Sequence, residues 1–136
     1  FKPGAVDVLK AGSEITVAAV GSLVSEAYDA AETLEAEGLS VELLNISSIR
    51  PLDRTEIVRS LQKTGKLLTV EEHSLHGGIG SLLANIVVEE KIPVCMEKIG
   101  FPEGQFSKFG PRCDIRSYYR MDSRGIVQTV KSIARI

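Results

Sequence analysis

The chain has 136 residues, 43% of them hydrophobic and 25% charged, with a formal net charge of -2. That length suits one domain whose core needs neither disulfide nor metal, and the near-balanced charge excludes the basic stripe of a nucleic-acid-binding protein. No apolar run approaches a membrane span, and two cysteines without a CxxC spacing read as free thiols in a reducing, cytoplasmic setting. The chain opens Phe1-Lys2-Pro3-Gly4, with neither an initiator Met nor a charged signal-peptide start, as a piece of a longer polypeptide would.

Ala5–Leu9 alternates weakly, with Val6 and Val8 on one face, and reads as a short edge strand. Ile15–Val20 is a continuous apolar run between turn signals, the pattern of a strand buried on both faces. The period then changes. Leu23, Val24, Ala27, Ala30, Ala31 and Leu34 recur at spacings of three and four, which is one face of a helix. Ser22 is its expected N-cap and Gly38 its expected stop. Val41–Ile46 is the third strand. Pro51-Leu52-Asp53 opens a second helix, with Asp53 and Glu56 spaced as a capping box and Gly65 at its end.

Lys66–Val70 is the fourth strand, and Gly77-Gly78 leads into a third helix striped by Ile79, Leu82, Leu83, Ile86 and Val87. Pro93–Ile99 is the fifth strand. Phe101–Arg112, which carries Phe101, Phe106, Lys108 and Phe109, reads as an irregular loop. A short helical turn is expected over Ile115–Tyr119. Ser123 is the expected cap of a final helix that buries Ile126, Val127, Val130 and Ile133.

Strands alternating with helices imply βαβ units, hence an α/β domain with a mostly parallel sheet. Right-handed crossovers place helices on both faces, giving three layers. The first strand is the exception. Lys10–Glu14 is too short for a parallel crossover, so strand 1 must run antiparallel to its partner.

Four places carry candidate chemistry, each with a structural alternative. Gly21-Ser22 follows a buried strand and opens a helix; it is either a turn and cap or a place where helix-start N–H groups meet an anion. Glu71 to Gly80 follows the fourth strand, at the edge where ligands of open α/β sheets gather. Glu72, His73 and His76 suit acid–base work there. The other reading is a glycine-rich helix entry at Gly77-Gly78, with Glu71 or Glu72 hydrogen-bonded to backbone amides. Arg50 follows the third strand and suits a carboxylate, a phosphate or an acid on a neighbouring domain. The Phe-rich loop covers the last strand or docks on a partner. GxSxG, P-loop, CxxC and GxGxxG motifs are all missing.

In order, the quoted segments resemble one family. Ile15–Gly21, then Asn45-Ile46-Ser47-Ser48-Ile49-Arg50-Pro51-Leu52-Asp53, then Lys66-Leu67-Leu68-Thr69-Val70-Glu71-Glu72-His73 and Gly77-Gly78-Ile79-Gly80-Ser81 look like the C-terminal domain of transketolase-type thiamine diphosphate enzymes. That superfamily includes 1-deoxyxylulose-5-phosphate synthase and the beta subunits of 2-oxo acid dehydrogenases. Glu71-Glu72-His73 leans towards the transketolases. Gly110-Pro111-Arg112-Cys113-Asp114 departs from the family's usual pattern.

The resemblance implies a five-stranded mixed sheet of order 1-3-2-4-5, strand 1 antiparallel. It implies a single domain over 1–136 that is part of a larger enzyme moving two-carbon ketol units between sugar phosphates. Thiamine diphosphate and magnesium would sit in other domains, with none bound by this chain. Its partners would be those domains or a separate subunit, in a homodimer without nucleic acid or membrane. This domain would then support the dimer and border the active-site approach. Gly21, Ser22, Arg50, Glu72, His73, His76, Gly77 and Gly78 would form an interface or an anion site, with no catalytic residue and no metal ligand among them. The alternatives are a regulatory anion-binding module, or the same domain in a synthase or dehydrogenase subunit.

Overall fold

The computed structural model describes residues 2–104 and 108–135. The apolar runs form β1 (Val6–Lys10), β2 (Ile15–Ala19), β3 (Val41–Ile46), β4 (Lys66–Ser74) and β5 (Cys95–Phe101). The helices are α1 (Val24–Ala36), α2 (Arg54–Thr64), α3 (Ile79–Glu89), α4 (Arg112–Tyr118) and α5 (Ser123–Ala134). The sheet order is β1-β3-β2-β4-β5. β1 is antiparallel to β3, and the other pairs are parallel. The antiparallel sense of β1 is the one its short connection to β2 requires.

Alternation along the strands divides the core. Ile15, Val17 and Ala19 of β2 face α1 and α5, where Ala27, Ala30, Ala31, Leu34, Ile126, Val130 and Ile133 close the layer. Ala18 faces α2 and α3, with Ile57, Leu61, Ile79, Leu83 and Ile86. The polar residues on β2 and β3 are matched. Thr16, fully buried, meets the hydroxyls of Ser60 at 2.8 Å and Thr64 at 2.7 Å. Glu42, also fully buried, pairs with Lys63 and with Arg59 at 3.0 Å. Both pairings fix α2 to the sheet, since an unpartnered polar group there would cost its desolvation.

Helix ends differ from the expectations in three places. A 3-10 turn, Gly21–Leu23, precedes α1, so Leu23 holds the N-cap position and no side chain caps it. Ser22 is drawn away by a carboxyl from β4, described below. Asp53 accepts the Thr55 N–H at 2.9 Å, but no reciprocal capping box forms. The Asp53 N–H donates instead to the Gly4 carbonyl at 2.7 Å, and Glu56 pairs with Arg59. Asp122, one residue before Ser123, caps α5 through the Gly125 N–H at 2.8 Å. β4 also runs four residues past Val70, and a helix starts at Arg112 where loop was expected. Phe106 lies outside the described residues.

Candidate functional site

β2, β3 and β4 are parallel and end at one edge of the sheet. α1 leaves β2 towards one face, and α3 leaves β4 towards the other. The connections diverge between β2 and β4, the switch point at which such sheets open a crevice. A cavity of about 300 Å³ lies there, lined by Val20, Ile49, Arg50, Glu71, His73, Leu82 and the turn Gly77–Ile79.

The end of β4 builds this edge by its period of two. Glu71 turns towards α3 and is 1% exposed. Its carboxyl accepts the N–H groups of Ile79 at 2.8 Å and Gly80 at 3.0 Å, satisfying the start of α3, where Gly78 offers no side-chain cap. Gly78 has φ -88°, a value open to any residue. The left-handed position is Gly77, at φ 81°. Gly78 is required for another reason: a Cβ there would stand 2.0 Å from Glu71 Oε2.

Glu72 turns to the opposite face. Arg112 Nε donates to it at 3.0 Å and Arg116 Nη2 at 3.0 Å, while the Ser22 hydroxyl donates at 2.9 Å. The Ser22 oxygen in turn accepts from Arg112 at 2.8 Å and Arg116 at 2.9 Å. Arg116 also stands 3.7 Å from Glu26, whose other oxygen accepts the Ser123 N–H at 2.8 Å. This cluster locks β4 to α1, α4 and the start of α5. Hydrogen bonds from Arg112, with support from Arg116 and Ser22, outweigh partial burial and hold the Glu72 carboxyl down at about 2.

A pH dependence follows. The Glu72 pKa is depressed on folding, so its stabilisation is complete above the ordinary carboxyl value of 4.5 and is lost as pH falls towards 2. Glu72→Gln should cost about 1–2 kcal/mol at pH 7, a figure reduced for the exposure of Arg112. Denaturant melts of both proteins should converge as pH falls through that window. A constant difference from pH 7 to pH 2 would contradict the ion-pair account.

The eight residues singled out in the sequence therefore do not make one site. Arg50, His73, Gly77 and Gly78 line the cavity. Ser22 and Glu72 belong to the arginine cluster, and Gly21 opens the turn beside it at φ 62°. The place next to Ser22, expected for an anion, is held by the chain's own Glu72 carboxyl. His76 is 65% exposed, 3.3 Å from Glu103. Sequence reasoning missed Arg116 altogether. The available signal was its i,i+4 spacing from Arg112 behind Pro111, a helix start.

The cavity does not suit a magnesium–diphosphate pair. No group of three or more His, Cys, Asp or Glu that could hold a metal exists among the described residues. Glu71, the carboxyl nearest the cavity, is turned to backbone N–H groups. No helix among the described residues is long and apolar enough to cross a membrane.

Comparison with known proteins agrees with this edge and this topology. The family model described as "Transketolase, C-terminal domain" matches residues 4–126. One of the two apulose-4-phosphate transketolase subunits of Actinobacillus succinogenes is 35% identical over 133 residues, covering 98% of this chain and 43% of the relative. 1-deoxy-D-xylulose-5-phosphate synthase 2 of Geobacter sulfurreducens is also 35% identical, over 96% of this chain and 21% of its own length. The solved structure titled "Split gene transketolase, inactive beta4 tetramer" aligns with TM-score 0.88 and 34% identity, covering 99% of this chain and 44% of that one. A Pichia stipitis transketolase mutant aligns with TM-score 0.68 at 19% identity, which speaks for the fold alone. The chain spans less than half the length of these relatives. Sheet order, strand sense and the match over 4–126 lead to one conclusion: the chain belongs to the family of transketolase C-terminal domains.

Proposed function

We propose that this chain is the C-terminal domain of a transketolase of the split type, one part of an enzyme that moves two-carbon ketol units between sugar phosphates. The observation that carries the reading is the likeness to the split-gene transketolase over 99% of the chain. The Actinobacillus succinogenes relative, itself named as a transketolase subunit, points the same way. In this reading thiamine diphosphate and magnesium are held by the rest of the enzyme. This domain supports a homodimeric assembly and borders the approach to the active site. Both cysteines are free thiols, which suits a reducing cytoplasmic enzyme.

Titration calorimetry with thiamine diphosphate and magnesium tests the division of labour. The 136-residue chain alone should give no magnesium-dependent heat and should not turn over xylulose 5-phosphate. The complete protein, this chain with its cofactor-binding part, should do both. A micromolar, magnesium-dependent signal from the chain alone would overturn the assignment.

A further inference from the structure

We propose that the cavity at the carboxyl edge of the sheet is a docking site for the cofactor-binding part of the enzyme, taking from it an apolar side chain flanked by a carboxylate. This rests on the function proposed above and names the surface through which the two parts meet.

The first argument is the chemistry of the walls. Val20, Ile79 and Leu82 make an apolar lining, and Ile49 stands at the rim 50% exposed. Covering that isoleucine removes apolar surface from water without disturbing the core. The second is charge. Arg50 is exposed beside Ile49 and pairs with no carboxyl among the described residues. His73 lines the same cavity, and the Glu71 carboxyl is engaged by two N–H groups of α3. The open charge of the rim is therefore positive, complementary to an acidic group. On the other face, Arg112 and Arg116 already have their carboxyl in Glu72.

The third argument is the path of the chain. β1 is antiparallel, with Val6 opposite Ile46, so residues 2–5 lie at the carboxyl edge of β3. They are tied there by the hydrogen bond from Asp53 to the Gly4 carbonyl, and Gly4 packs on the Pro51 ring. Polypeptide preceding Lys2 in a longer protein thus passes beside Ile49 and Arg50. A domain delivered from that direction meets the cavity first.

Hydrogen–deuterium exchange on the complete protein and on the 136-residue chain tests the proposal. Amides of residues 48–54 and 72–79 should exchange about tenfold more slowly in the complete protein. Ile49→Asp and Arg50→Glu should each abolish that protection. Val88→Asp, at a position 75% exposed towards the far end of α3, should leave it intact. Unchanged exchange in a complete protein that binds thiamine diphosphate would overturn the docking alone. Protection without cofactor binding would instead remove the functional reading and keep the docking. Millimolar inorganic phosphate that protects both segments in the isolated chain would make the cavity a small-anion site and overturn the proposal.

Discussion

Gly78→Val should destabilise the domain by about 3 kcal/mol, lowering its melting temperature by roughly 10 °C. His76→Ala should stay within about 0.5 kcal/mol of the parent. The two residues lie two apart in a loop that looks equally glycine-rich and polar throughout. Their surroundings differ completely. A Cβ on Gly78 meets Glu71 Oε2 at 2.0 Å and the Glu71 carboxyl carbon at 2.6 Å. Glu71 has nowhere to withdraw, being 1% exposed and bound to the start of α3. Backbone strain plays no part, because Gly78 is extended at φ -88°. His76 is exposed, and its neighbour Glu103 is exposed too. Thermal melts decide the order; a larger loss for His76→Ala would contradict this account of the loop.

The second large effect is expected at the other half of the same contact. Glu71→Ala should cost about 2–4 kcal/mol. It leaves the N–H groups of Ile79 and Gly80, both buried, without their acceptors. It also opens a void under Gly78. That void makes a further prediction possible. Gly78→Ala should be costly in the parent and cheaper in the Glu71→Ala background, with a coupling of about 1 kcal/mol or more. Denaturant unfolding of the four proteins measures it. Additive losses would mean that the two side chains do not share the space the structure gives them.

These two residues also show where the sequence stops speaking. The glycine pair marks a turn into a helix, and Gly77 does take the left-handed conformation that such turns use. Nothing local marks Gly78 as spared for a carboxyl on the preceding strand. Glu71 and Glu72 are adjacent and chemically alike, so the sequence left open which one caps α3. The pleat decides by sending them to opposite faces. The same alternation sends His73 to the cavity and Glu72 to the arginines, and so separates residues that looked like one cluster.

Elements with strong periodicity were legible. The stripes of α1, α2, α3 and α5 and the buried run of β2 lie where the spacing puts them. The antiparallel sense of β1 followed from the length of one loop, and the full strand order from the family resemblance. Long-range partners were not legible. Arg112 and Arg116 meet Glu72 across 40 and 44 residues, and no local signal encodes that pairing. It nevertheless explains two misplaced ends. Ser22 leaves the cap position to join the cluster, and α4 begins at Arg112 because this residue is held against β4.

The most direct test of the central claim, that the chain works as one part of a thiamine diphosphate enzyme, is mass spectrometry of the native protein. The protein is isolated under native conditions, and the polypeptides and cofactor that accompany this sequence are identified. The account predicts either a longer polypeptide carrying this sequence beside thiamine-binding domains or a stoichiometric partner chain with them, and thiamine diphosphate in the complex. A native species containing only these 136 residues, with neither such a partner nor the cofactor, would contradict it.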